Sequence, residues 1–182
     1  MKHILVLSDT INISDMLTEV EQLSDLWLLD TIRQNTGEIH RHTQSVHLIL
    51  TESVTDINKS NTYLKTDAYN RCPIIINWLE KSFPIGLSRV SIIKLLPEQS
   101  VDSHVDVGIY YRKRTRFHLV IKGSYTYNVG DECIVARAGT LFCFNNSEIH
   151  YSHNLEKDDR ITIVFDVEHS AFGLGKTLIG DF

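Results

Sequence analysis

The chain has only three cysteines and three prolines in 182 residues, and no apolar run long enough to cross a bilayer. Cys72, Cys133 and Cys143 form no C-x-x-C pair, and an odd count argues against a disulfide framework. Reduced thiols in a cytoplasmic setting are expected. The N-terminal apolar stretch, Ile4 to Leu7, is shorter than the roughly 7 to 15 residues of a signal-peptide core and far below a membrane span. Basic charge is scarce too. A formal net charge of -5 argues against a protein held to nucleic acid by phosphate neutralisation. No internal repeat, low-complexity tract or long linker interrupts the sequence. At 42% hydrophobic residues, 182 residues suffice for one well-buried core and are too few for two ordinary domains. The expectation is one soluble, unprocessed domain over residues 1–182 without a membrane partner.

What is present falls into two textures. From Ser14 to about Gln34 the residues Met16, Leu17, Val20, Leu23, Leu26, Trp27 and Ile32 recur at three- and four-residue spacings, with acids at Asp15, Glu19 and Glu21 near the start. This pattern predicts an amphipathic helix with Ser14 as N-cap and Gly37 just past its end. Ser45 to Thr51 reads as a strand, Asp56 to Thr66 as a polar loop, and Ile74 to Lys81 as a helix with Pro73 tolerated in its first turn. After Pro84 short β-rich runs follow one another: Arg89 to Leu96, Arg116 to Ile121, Ser124 to Val129, Thr140 to Phe144 and Arg160 to Val167. Gly123, Gly130, Gly139 and Asn145-Asn146 separate them, as turns separate strands in an antiparallel sandwich or barrel. The predicted class is mainly β with flanking helices, a cupin-like double-stranded β-helix or jelly roll. Residues 1–88 form its helix-and-strand N-terminal support, packed on the outside. Residues 89–169 form the core, and residues 170–182 a C-terminal tail.

Chemistry concentrates between His104 and Arg160. His104 and Asp106 are two apart, so in an extended segment both side chains face the same way and can reach one ion. An isolated H-x-D is a weak signal. His150 strengthens it, lying in the turn-rich segment FNNSEIHYSHN where an inward polar side chain needs a reason. Neighbouring His153 reads as a solvent-exposed loop histidine. Two imidazoles and a carboxylate on one side of a metal leave opposite positions open, the donor set of non-haem Fe(II) oxygenases. Arg160 opens the strand RITIVFDV, where arginine is ordinarily a surface residue; a buried one needs an anion. A guanidinium grips carboxylate in a two-pronged fork, which suits 2-oxoglutarate as cosubstrate. Arg116 and His118 share one face of RFHLVI, and their ordinary reading is an exposed polar edge opposite the core residues Phe117, Leu119 and Ile121.

The ordered segments SIIKLLPEQSVDSHVD, RFHLVI, AGTLFCFNNSEIHYSHN and RITIVFDVEH resemble the aspartyl/asparaginyl β-hydroxylase family of Fe(II)/2-oxoglutarate dioxygenases, over roughly residues 89 to 169. Pro97 precedes His104 by seven residues and Arg160 follows His150 by ten, as in that family. The resemblance implies His104, Asp106 and His150 as iron ligands and Arg160 as the clamp on the far carboxylate of 2-oxoglutarate. Arg116 and His118 would sit near its metal-chelating end, and Ser91, which keeps strand parity, would assist the far carboxylate. It also implies O2 consumption and conversion of 2-oxoglutarate to succinate and CO2, with a peptide side chain or small amino-acid-like molecule as substrate. The connection VGIYYRKRT departs from the family by being a few residues longer.

Other groups have plainer explanations. His40, His42 and His47 straddle a loop and a strand and are not expected to form a second metal cluster. Tyr110 to Arg114 reads as a solvated basic loop, Trp27 and Trp78 as packing residues, and Asp131, Glu132, Asp158 and Asp159 as turn residues. The alternative reading is a non-catalytic, cupin-like metal- or ligand-binding module, which would have no need of a carboxylate clamp at Arg160.

Overall fold

Alternating residues after Pro84 give eight successive strands, which a computed structural model folds into two facing sheets. Residues 2–35, 37–56 and 58–172 are described. The first half supplies strand β1 (Ile4–Ser8), helices α1 (Ser14–Glu21) and α2 (Ile32–Asn35), strands β2 (Thr43–Thr51) and β3 (Tyr63–Lys65), and helices α3 (Asp67–Asn70) and α4 (Pro73–Ser82). The second half supplies β4 (Leu87–Leu95), β5 (Ser100–His104), β6 (Arg114–Lys122), β7 (Ser124–Val129), β8 (Glu132–Arg137), β9 (Leu141–Phe144), β10 (His150–Asn154) and β11 (Arg160–Glu168). In the larger sheet β9, β6, β11 and β4 stand side by side, and in the smaller β8, β7, β10 and β5, all antiparallel. That weave is the double-stranded β-helix expected from the sequence. β1 extends the larger sheet past β9, and β2 and β3 extend it past β4, so the N-terminal half covers both of its edges.

Strand parity divides the larger sheet between two tasks. Phe117, Leu119 and Ile121 of β6, with Ile161, Ile163, Phe165 and Val167 of β11, join the buried cluster built with α1 and α4. Phe83 and Trp78 pack their rings on Phe165, and Phe117 stacks on Phe165 at 5.2 Å. Each such side chain, fully buried, contributes about 1.5–3 kcal/mol. The alternate residues Arg116, His118, Arg160 and Val164 face a cavity between the sheets. Beside it Ile4, Val120, Tyr125, Tyr127, Phe142 and Phe144 fill the rest of the interior.

The first helix departs from the sequence expectation. Met16, Val20, Leu23 and Trp27 are buried at the predicted spacing, but α1 stops at Glu21 and the chain continues in turns with bonds such as Leu26 N–H to the Leu23 carbonyl. Arg71 supplies a cause: its guanidinium takes the Gln22 carbonyl at 2.6 Å and grips Asp25, diverting an acceptor that an α-helix needs. Ser14 is the first helical residue rather than the cap, and the Asn12 side chain accepts its N–H instead. β3 and α3 occupy the end of the polar region read as loop and the residues after it. The expected tail reaches past the described residues from position 173. No helix among the described residues is long and apolar enough to cross a membrane.

α4 begins with Pro73 in its first turn, as expected, and Glu19 of α1 caps it. The buried Glu19 carboxylate accepts the N–H of Ile74 at 2.6 Å and of Ile75 at 2.9 Å, tying the two helices together. Glu19→Ala leaves both donors unmet. We expect a loss of about 3–6 kcal/mol, given two hydrogen bonds to a charged group at roughly 1.5–3 kcal/mol each. The urea midpoint measures it, and a shift equivalent to under about 0.5 kcal/mol would contradict the cap.

Candidate metal centre

Cross-strand register brings the two histidines together. His104 ends β5, His150 begins β10, and they are direct partners with ring centroids 4.3 Å apart. The register then slips: Ser152 faces Val101, so β5 carries one extra residue between Val101 and His104. Plain alternation from Val101 would turn His104 outward; the bulge turns it back, and both residues line the same cavity. Asp106 arrives differently from the sequence argument, because β5 has ended and no shared strand face aligns it with His104. Its N–H instead donates to the Asn146 carbonyl at 3.1 Å, pinning the segment after β5 to the turn before β10. One ligand atom from each of His104, Asp106 and His150 lies within 4.8 Å of the others.

Backbone carbonyls set the tautomers. His104 Nδ1 bonds the Asp102 carbonyl at 2.7 Å, and His150 Nδ1 bonds the Glu148 carbonyl at 2.9 Å. A carbonyl only accepts, so each Nδ1 carries the proton and each Nε2 presents a lone pair. Burial, against a smaller opposing pull from Asp106, lowers the His150 pKa to about 4, so its ring is neutral at pH 7 and ready to ligate. Asp106 is held by Arg116 Nη1 at 2.8 Å, while Arg116 makes a two-pronged contact with Asp166 at 2.8 and 3.1 Å. Tyr110 hydroxyl donates to the same Asp166 carboxylate. Burial opposes the Arg116 charge, but Asp106 and Asp166 outweigh it and hold the guanidinium well above its usual range.

Arg160 lines that cavity with His104, His150 and Arg116 and is 3% exposed. Nη1 donates to Thr162 Oγ1 at 2.8 Å, and the guanidinium lies over the Tyr125 ring at 4.2 Å. Its Nε is buried without a hydrogen-bond partner, and among the described residues no carboxylate pairs with it. Burial lowers its pKa from the ordinary value, with only Tyr125 and Tyr127 pulling the other way. A buried cation left this way is costly unless an anion joins it. Imidazole, imidazole and carboxylate suit iron, and an unpaired guanidinium suits a diacid, so the residues present fit both groups.

The remaining candidates divide. Arg116 and His118 are not an exposed edge: both line the cavity, and His118 Nδ1 lies 3.2 Å from the Tyr125 hydroxyl. Ser91 keeps its expected parity, but its hydroxyl bonds His47 Nδ1 at 2.7 Å and it lines an adjoining cavity without Arg160. The hydroxyl beside Arg160 is that of Thr162. His153 is exposed, as expected. The histidine trio is dispersed, with His47 between Ser91 and Asp30, His42 against Arg41, and His40 edge-on to His104 at 5.1 Å. Tyr110 to Arg114 is no solvated loop at its ends. Tyr110 and Arg114 are buried, and Arg114 bonds Ser88, Asn61, Tyr63 and Glu168, leaving Arg112 and Lys113 outside. Sequence reasoning missed Tyr125, Tyr127, Asp166 and His40. The first three had a legible signal in parity, as alternate residues of YTYNV and of the Arg160 strand.

His150 makes the metal-free fold acid-sensitive. Its folded pKa of about 4 lies below the ordinary 6.5, so between those values the unfolded chain binds a proton that the folded chain does not. Stability therefore falls as pH drops from 6.5 toward 4, by up to about 3 kcal/mol at 1.36 kcal/mol per pKa unit. Urea titrations of wild type and His150→Gln across that range check this. The variant should lose that part of the slope, and equal slopes would contradict the assignment.

Comparison with known proteins follows the same line. An oxidoreductase of the 2OG-Fe(II) oxygenase family from Burkholderia pseudomallei superposes with a TM-score of 0.55 at 10% identity, covering 85% of this chain and 78% of that one. A cupin superfamily protein from Desulfitobacterium hafniense gives 0.36 at 14% identity, covering 44% and 66%. A predicted oxalate decarboxylase from Thermotoga maritima gives 0.39 at 15% identity, covering 49% and 73%. The first of these likenesses concerns the fold alone. No curated protein matches the sequence. The model of the aspartyl/asparaginyl beta-hydroxylase family matches residues 29–170, more than three-quarters of the chain, and with that span the protein belongs to this family.

Proposed function

We propose that the protein is an Fe(II)- and 2-oxoglutarate-dependent dioxygenase that hydroxylates a peptide side chain or a small amino-acid-like molecule. His104, Asp106 and His150 hold the iron, and Arg160 receives the far carboxylate of 2-oxoglutarate. The observation that carries this reading is the buried, unbalanced charge of Arg160 in the cavity lined by both histidines of a His-Asp-His cluster. A module that only bound metal would gain nothing from that charge. Family membership and the oxygenase-like fold support the same chemistry.

When bound, iron and 2-oxoglutarate supply an oxidant derived from O2, with succinate and CO2 as coproducts. The chain supplies position and dryness. Asp102 and Glu148 carbonyls keep both imidazoles in the ligating tautomer, and Arg116, itself fixed by Asp166, holds the Asp106 carboxylate in place. At the far end, Thr162 and the Tyr125 ring orient the Arg160 fork. Ile93, Val101 and Val164 give the cavity apolar wall, which keeps water from competing for the open positions. His40 and Tyr151 line the same cavity.

Calorimetry on manganese-loaded protein, which cannot turn over, separates the roles. Arg160→Gln is expected to bind the metal normally and 2-oxoglutarate roughly 10- to 100-fold more weakly, from about 1.5–3 kcal/mol for a charged hydrogen bond. His150→Ala should lose the metal. Wild-type protein with iron, 2-oxoglutarate and O2 should yield succinate, and neither variant should. Wild type that binds metal but neither binds 2-oxoglutarate nor makes succinate would establish the non-catalytic module instead.

A further inference from the structure

A second, half-buried guanidinium on the inner face shares one feature of Arg160. Arg89 of β4 has a buried Nε without a partner, and no carboxylate pairs with it among the described residues. A bulge in β4 opposite Phe165 and Val167 frees its backbone N–H, which donates to the Tyr110 hydroxyl at 3.1 Å, while Nη1 donates to the Tyr111 hydroxyl at 3.0 Å. Arg89 and Tyr111 line a small cavity that shares Ile93, Arg116 and Val164 with the metal cavity.

The other polar groups there are already matched. Arg116 is held by Asp106 and Asp166, Asp166 also accepts from Tyr110, and Ser91 bonds His47. Arg116 faces two carboxylates, so the charges of Arg89, Arg116, Asp106 and Asp166 sum to zero, and what Arg89 keeps is an Nε–H facing that cavity that no described residue accepts. A cosubstrate clamped at Arg160 would be anchored near the other end of β4. Arg160 faces Leu95, six residues along β4 from Arg89, which at about 3.3 Å per residue is roughly 20 Å. The carboxyl carbons of 2-oxoglutarate are four C–C bonds apart, at most about 6 Å at ~1.5 Å each. The cavity measures about 40 Å³ on the Arg160 side and about 20 Å³ on the Arg89 side. The smaller exceeds the ~10–15 Å³ that one water needs and admits a terminal group, not a whole ligand.

We propose that Arg89 and Tyr111 form a second anion subsite, on the opposite side of the metal centre from Arg160, which takes a terminal carboxylate of the substrate. The carboxylate lies in the fork of Arg89 with the Tyr111 hydroxyl beside it. The rest of the substrate then runs past Val164 and Arg116 toward the triad. The assignment of this anion to the substrate rests on reading the triad as the catalytic metal centre; the binding of an anion at Arg89 does not.

Side-chain Nε–H signals of the arginines, observed by NMR while acetate is titrated into the whole protein, test this with acetamide as the uncharged isostere. Acetate should shift the Arg89 and Arg160 signals, acetamide neither, and the exposed Arg112 and Arg137 should respond far less. Arg160→Gln should leave the Arg89 response intact. Arg89→Gln should weaken the acetate shift of the Tyr111 amide roughly tenfold or more. An Arg89 signal that ignores acetate, or answers acetamide equally, overturns the subsite whatever Arg160 does. An Arg160 signal that stays still while Arg89 responds overturns the cosubstrate clamp instead. The wild-type titration alone decides the question if either variant fails to fold.

Discussion

A guanidinium buried without a counter-anion is a debt the fold cannot settle by itself. Arg160 sits between two sheets, under Tyr125 and against Thr162, with one N–H unmet. Arginine does not shed its proton at any ordinary pH, so neutralisation is closed to it. The cavity that Arg160 lines also holds His104 and His150, which with Asp106 form a cluster able to hold a metal. A ligand that joined the two would carry an anion at one end and a metal-binding group at the other.

The same strands serve stability and chemistry through parity. In β6 and β11 one set of alternate residues packs under α1 and α4, and the other set faces the cavity. A one-residue slip would exchange Phe117 for Arg116 and Ile161 for Arg160, ruining core and site together. The hydrophobic face thereby fixes the position of the polar one. Glu19, by capping α4 from α1, secures the helical layer that presses on that sheet.

Much of this was legible in order and spacing. Strands β7, β9 and β11 lie within a residue of their expected bounds; His104, Asp106 and His150 come within 4.8 Å of one another, and Arg160 lines a cavity with the two histidines. What escaped depends on long-range partners. The bulge that aims His104 exists only in the pairing of β5 with β10, and Asp106 is placed by a bond to Asn146 forty residues away. The end of α1 depends on Arg71, far along the chain, taking a carbonyl. Arg114 looked like part of a solvated charge run because its five partners come from four separate segments. Ser91 had the right face and the wrong neighbour, since the register with β2 sets His47 beside it.

A crystal soaked with manganese and 2-oxoglutarate under anaerobic conditions, with anomalous scattering recorded for the metal, probes the central claim most directly. The account predicts one metal peak at bonding distance from His104 Nε2, His150 Nε2 and an Asp106 oxygen, with the far carboxylate of the diacid in the fork of Arg160. A metal held elsewhere, or an Arg160 whose guanidinium turns to bulk water, would contradict it.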